Sequence, residues 1–152
     1  MPHSPRPEHA DVLRAEGLRV TKQRVAVMSA LLAAPHSGAD AVLARVRSEV
    51  GQVSTQAVYD VLNTLTERGL VRRIQPAGSS ARYELDAGDH HHHVVCRSCG
   101  RVSDVDRATG SAPCLDTTDL QVHAPGFVVD EAEVTFWGLC TACSTGSTPG
   151  AT

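Results

Sequence analysis

The sequence predicts an α+β chain in two unlike parts: short helices closed by a β-hairpin, then a small antiparallel sheet built around cysteines. Three observations predict it. Apolar residues recur at helical spacing as far as Gly69, β-branched and aromatic residues gather in short runs from Leu70 onward, and two Cys-x-x-Cys pairs follow. With 41% hydrophobic and 20% charged residues in a length of 152, the chain is globular, and five aromatics make its core aliphatic. No run approaches the roughly 18 apolar residues of a membrane span. Met1-Pro2-His3-Ser4-Pro5-Arg6-Pro7 lacks the apolar stretch of a secretory signal. Five cysteines, an odd number, without such a signal argue against a disulfide framework and for metal or redox chemistry in the cytoplasm. No internal repeat is visible.

A net charge of −3 is not the footprint of a nucleic-acid binder. The total hides an asymmetry, however. Residues 1–80 carry ten Lys/Arg and seven Asp/Glu, a net of +3, whereas residues 81–152 carry four and ten, a net of −6. All five cysteines and five of the eight histidines lie after residue 89. Two domains with separate tasks are expected, residues 1–85 and 86–143, followed by a small, polar, disordered tail over 144–152.

The elements follow in order. Glu8 to Glu16 reads as a helix stopped by Gly17. Thr21 caps Lys22 to Ala34, where Val25, Met28, Leu31 and Leu32 share helical spacing. Pro35 to Gly38 breaks that helix, and Ala39 to Val50 forms the next, with Val42, Leu43, Val46 and Val50 on one face. Ser54 or Thr55 caps a fourth helix, with Val58, Val61, Leu62 and Leu65 as its buried stripe and Gly69 as its end. Leu70–Ile74 and Ala81–Leu85 then read as strands joined by a Gly-Ser turn. This is the outline of a winged helix-turn-helix. Val94-Val95, Val102–Val105, Phe127–Val129 and Ala132–Leu139 read as strands of the second part, and 112–123 is at best weakly helical.

Within that outline the fourth helix is the candidate reader of double-stranded DNA. Its polar face offers Ser54, Thr55, Gln56, Tyr59, Asp60, Asn63 and Thr64, groups suited to phosphates and base edges in a major groove. Arg19, Lys22, Arg24, Arg72 and Arg73 are candidates for phosphate neutralisation. Asp60 and Glu67 oppose it.

Metal chemistry belongs to the second part. Cys96-Arg97-Ser98-Cys99 and Cys140-Thr141-Ala142-Cys143 each place two thiolates on one turn, and two such turns close a tetrahedral zinc site. Four thiolates leave no open position, so this Zn²⁺ is structural. Cys114 is left over. His90-His91-His92-His93 lies just before the first pair, and in a strand His91 and His93 share one face while His90 and His92 share the other. Glu84, Asp104 and His36 are candidate partners for that imidazole pair. Such a mixture of nitrogen and oxygen donors suits Fe²⁺, Mn²⁺ or Zn²⁺. The exposed Val, Phe and Trp of the sheet favour a homodimer.

From Leu13 to Cys143 the chain resembles the ferric uptake regulator (Fur) superfamily of bacterial metalloregulators. The resemblance is carried by Gly17–Arg24, Val53-Ser54-Thr55-Gln56-Ala57-Val58-Tyr59, Gly69-Leu70-Val71 and His90–Gly100 followed by the second Cys-x-x-Cys. It implies an N-terminal winged-helix DNA-binding domain and a C-terminal α/β dimerisation domain, with Cys96, Cys99, Cys140 and Cys143 on structural zinc. It further implies an interdomain regulatory metal held by His36, Glu84, His91, His93 and Asp104, DNA contact by Arg24 and Tyr59, and AT-rich palindromic operators. Occupancy of that site would close the hinge between the domains and set the spacing of two reading helices. Lys22 replaces the family's proline at a helix start. A further metal site of iron-uptake members has His90 and His92 here, but Ser111 and Ala132 stand where its other ligands would be sought.

Asp104 resembles peroxide-sensing members, where iron-uptake members carry glutamate, and the stretch Phe127 to Cys140 resembles actinobacterial members tied to catalase-peroxidase control. Glu84 resembles the iron-uptake type. The expectation is a metal-dependent repressor of oxidative-stress genes, with peroxide as its signal and no other small-molecule substrate. Iron- or zinc-responsive repression is the alternative. A zinc enzyme lacks its HxE or HExxH motif, and a metal buffer would need no reading helix.

Overall fold

The computed structural model describes residues 8–86, 88, 91–105, 120–128 and 134–146. It forms two compact units, Met1–Gly88 and Asp89–Thr152. His90, Ser111, Cys114, Val129, Ala132 and the tail beyond residue 146 lie outside the described residues.

The first unit begins with α1 (His9–Ala15) and α2 (Lys22–Ala33). Thr21 caps α2 as the sequence predicts, its hydroxyl accepting from the Arg24 amide at 3.2 Å. The buried face of α2 is broader than its spacing suggests. Ala26, Val27, Met28, Ala30 and Leu31 are buried, while Leu32 is exposed. The reason is position: α2 packs against α1, α3, α4 and a strand, so more than one face is covered.

α3 (Ala39–Val50) buries Val42 and Val46, and α4 (Thr55–Glu67) buries Val58, Leu62 and Leu65. Ser54, rather than Thr55, caps α4, accepting from the Ala57 amide at 3.1 Å. Gly69, at φ 68°, ends α4 in the left-handed conformation that glycine adopts without steric cost. The turn lets Leu70 donate its amide to the Leu65 carbonyl at 2.9 Å.

The hairpin of β2 (Val71–Ile74) and β3 (Arg82–Leu85) is present, but it is only part of the sheet. A two-residue strand, β1 (Ser37–Gly38), pairs with β3 on its other edge, giving the order β1-β3-β2. The segment expected only to break a helix thus returns to the sheet before α3 starts.

The second unit holds β4 (His92–Cys96), β5 (Val102–Val105), a short helix α5 (Leu120–His123), β6 (Thr135–Gly138) and α6 (Thr141–Ser144). Ser144, placed in the tail from sequence, is the last residue of α6. The sheet order is β5-β4-β6. The expected antiparallel sheet holds for β4 and β5; β6 runs parallel to β4, so the sheet is mixed. The reason is geometric. Both cysteine pairs begin at or just past the C-terminal ends of their strands, and parallel pairing sets those ends side by side. The long connection between β5 and β6 provides the chain length that a parallel crossover needs. Phe127 and Val128 form no strand: the Phe127 amide closes a turn onto the Ala124 carbonyl at 3.3 Å. No helix among the described residues is long and apolar enough to cross a membrane.

Candidate functional site

The cysteine cluster is assembled by register. Cys96 stands opposite Gly138 in the parallel ladder, so Cys140, two residues further on, arrives beside it. Backbone bonds hold both turns. The Arg97 amide donates to the Gly138 carbonyl at 2.8 Å, and the Cys140 amide donates to the Cys96 sulfur at 3.3 Å. Sγ atoms of Cys96, Cys99, Cys140 and Cys143 all lie within 4.8 Å of one another. Cys99 and Cys140 sulfurs are 3.8 Å apart, far beyond a disulfide bond. That separation matches the edge of a tetrahedron with metal–sulfur bonds of about 2.3 Å, which is also about 3.8 Å. The donor set and its spacing fit Zn²⁺.

The thiols are electrostatically unequal. Hydrogen bonds from the Cys140 amide and then the Cys99 amide outweigh burial and hold the Cys96 thiol down to about 6. At Cys143 the Ser98 hydroxyl pulls downward. The Cys140 thiol, burial, and the Cys99 and Cys96 thiols outweigh it and push Cys143 up to about 11. Four sulfurs this close cannot all ionise without a counter-charge, and a divalent cation supplies one.

The remaining predicted ligands occur as two groups, one in each unit. In the first, His36 Nε2 lies 2.7 Å from Glu84 Oε2, with both side chains largely buried. His36 has φ 59°, a left-handed conformation unusual for a residue with a side chain. It sits immediately before β1, and the Ser37–Tyr83 pairing brings it beside the strand that carries Glu84.

In the second unit the strand alternation holds. His91 and His93 share a face, with ring centroids 4.8 Å apart, while His92 turns the other way toward Phe136. Asp104 is opposite His93 in the β4–β5 ladder. Its Oδ1 lies 3.4 Å from His91 Nε2 and 3.6 Å from His93 Nε2. Donors around an ion at about 2.1 Å are separated by about 3.0–3.4 Å, so this group is nearly at coordination spacing.

The candidate DNA-contacting residues divide. Thr55, Gln56, Tyr59 and Asn63 are exposed along α4, and Arg19 and Lys22 are exposed near the start of α2. Ser54 is committed to its cap, Gln56 donates to Asp60 at 2.8 Å, and Arg24 donates to the Arg19 carbonyl at 2.7 Å. Arg72 departs from expectation. Instead of facing solvent for phosphate contact, it is half-buried against Glu84 and Asp86. The cause is register, since Arg72 pairs with Glu84 across the hairpin. The alternation of β2 and β3 could have revealed this, had the turn length been known.

Comparison with known proteins agrees with this donor chemistry. Residues 15–134 match the ferric uptake regulator family. The chain is 54% identical over 142 residues to "Transcriptional regulator FurA" of Mycobacterium tuberculosis, covering 93% of this chain and 94% of that one. It is 30% identical to "Peroxide operon regulator" of Bacillus subtilis, covering 90% and 92%. The ferric uptake regulator of Pseudomonas aeruginosa, solved with manganese, superposes with a TM-score of 0.65 at 26% identity, covering 88% and 98%. Zn²⁺ at the four cysteines, with Fe²⁺ or Mn²⁺ at the histidine–carboxylate ligands, are the cofactors that fit. Members of this family are DNA-binding transcriptional regulators, not enzymes. Its sequence, fold and cysteine cluster make this chain a member of the ferric uptake regulator family, a metal-responsive transcriptional regulator.

Proposed function

We propose that the chain is a peroxide-responsive repressor in the cytoplasm, acting as a homodimer on AT-rich palindromic operators of oxidative-stress genes. The observation that carries the signal assignment is Asp104, a short carboxylate shared by His91 and His93. A relative named as a peroxide operon regulator supports it. In this reading residues up to 85 act as a winged helix with α4 in the major groove, and residues 86–143 form the dimerisation domain.

The regulatory metal is assigned to His36 and Glu84 from the first unit and His91, His93 and Asp104 from the second. A ligand set divided this way makes the bound state the closed state, so metal favours the DNA-competent arrangement by its differential affinity. Fe²⁺ held by these residues would supply the electrons for reducing peroxide next to the imidazoles. The balance is one imidazole C–H and one peroxide giving an oxo-imidazole and one water. Loss of an imidazole donor then loosens the site and releases DNA. Glu84 favours a second reading, repression responsive to iron itself, in which Fe²⁺ loading is the whole signal.

The test uses the full-length protein on an AT-rich palindrome at fixed salt, with Fe²⁺, Mn²⁺ or neither. Metal is expected to raise affinity. Peroxide is expected to abolish binding for the Fe²⁺ form only, with one added oxygen on a peptide containing His36 or His91. Oxidation confined to cysteines would refute the metal-catalysed histidine route and favour a thiol switch instead. Unchanged affinity with metal would refute metal dependence altogether.

A further inference from the structure

Glu84 lies in a chain of charges that the functional assignment leaves unused. Its Oε2 faces His36 Nε2 at 2.7 Å, and its Oε1 faces Arg72 Nη1 at 3.8 Å. The other arm of the same guanidinium, Nη2, is 3.7 Å from Asp86 Oδ1. Side-chain exposure is 18% for Arg72 and 5% for Glu84, so water screens the pair poorly. Arg72 and Glu84 are direct cross-strand partners, and Asp86 follows two residues along. The Asp86 backbone is itself tied, donating to the Leu70 carbonyl at 3.0 Å. Both contacts are ion pairs longer than hydrogen bonds, and Asp86 on the far side draws the guanidinium toward its place beside Oε1 of Glu84.

We propose that Arg72 is a positioning residue of the regulatory site, holding Oε1 of Glu84 so that the carboxylate offers a metal beside His36 a single oxygen. This rests on His36 and Glu84 being ligands, and it adds why a glutamate can serve in a peroxide sensor. An unrestrained glutamate can chelate through both oxygens. Held on one side, Glu84 gives one donor, Asp104 another and the three imidazoles one each. The five residues would then provide five donors, and an ion that accepts six would retain a place for peroxide. Asp86 balances the charge of Arg72, so the guanidinium orients the ligand without adding a net positive charge beside the metal.

The experiment compares wild type, Arg72→Gln and Arg72→Lys in the full-length, zinc-loaded protein, with Co²⁺ as the spectroscopic probe. Arg72→Gln is expected to weaken the visible Co²⁺ absorption, as a rise in coordination number does. It is also expected to slow oxidation of the His36 and His91 peptides under Fe²⁺ and peroxide by about tenfold, the lower range for losing a partner of a metal ligand. Arg72→Lys keeps the charge but not the two-armed geometry, and should fall between. Wild-type absorption together with a wild-type oxidation rate in Arg72→Gln overturns the proposal; if that variant does not fold, the same result in Arg72→Lys does so. Glu84→Gln provides the separate control. If it leaves Co²⁺ binding intact, the ligand assignment fails and takes this proposal with it. If wild type binds Co²⁺ through Glu84 but gains no oxygen, the peroxide reading fails, and a weakened Arg72→Gln spectrum still supports the positioning role.

Discussion

Ser54 is placed where one side chain serves both the fold and the candidate DNA surface, and two substitutions separate those roles. Its hydroxyl accepts from the Ala57 amide at 3.1 Å and is exposed at the start of α4. Ser54→Ala removes the acceptor and leaves a helix N–H unsatisfied, a loss of about 1 kcal/mol. In a unit of this size that lowers Tm by about 4–8 °C. Ser54→Asp restores the acceptor and sets a negative charge at the positive end of the helix, so stability should equal or exceed wild type by about 0.3–1 kcal/mol. DNA binding should move the other way. A carboxylate about 5 Å from a phosphate is repelled by about 1 kcal/mol in water and about 3 kcal/mol at a partly dry interface. That predicts operator affinity about 5- to 150-fold weaker per contact. Urea unfolding reports the first effect, and fluorescence anisotropy with Mn²⁺ at fixed salt reports the second. If Ser54→Asp is as unstable as Ser54→Ala, the cap is not what stabilises α4. If it is stable and binds DNA like wild type, the N-terminus of α4 does not face the operator.

Three further outcomes test the rest. Cys96→Ser should lose the structural zinc, measured by metal content per chain and by competition with a chelator; a variant still holding one tight zinc would refute the four-sulfur assignment. In the zinc-stripped protein Cys96 is held at about 6, below its ordinary 9.0, so the unfolded state binds more protons between those values. Its contribution therefore grows as pH rises from about 6 to 9 and is lost as pH falls through 6, and Cys96→Ser should flatten that part of the urea-unfolding profile. Leu62→Ala, at a wholly buried position of α4, should cost about 2–5 kcal/mol by the same assay. A loss below about 1 kcal/mol would mean α4 is anchored elsewhere.

The legible features were those governed by local chemistry. Helix starts at Thr21 and Ser54 and the end at Gly69 follow from which side chains satisfy or terminate a helix. The shared face of His91 and His93 follows from strand alternation. What escaped was set by pairing between distant residues. β1 is only two residues long and has no pattern of its own; its strand character comes from β3. Arg72 looks like any surface arginine until the hairpin register places it across from Glu84. Phe127 and Val128 have strand-forming side chains, yet the Phe127 amide is used in a turn.

By itself the sequence determined the four helices of the first part, the charge division between the two parts, the four sulfur ligands and the donor types of a second metal group. These depend on residue identity and on spacings of a few positions, which persist whatever the surrounding fold. Tertiary structure decided the direction of β6, and with it how the two cysteine pairs meet. It also decided which oxygen of Glu84 faces an imidazole and which faces a guanidinium. Those outcomes depend on register and crossover, where one residue of slip or one reversed strand moves a donor atom by several ångströms, and no local pattern encodes that choice.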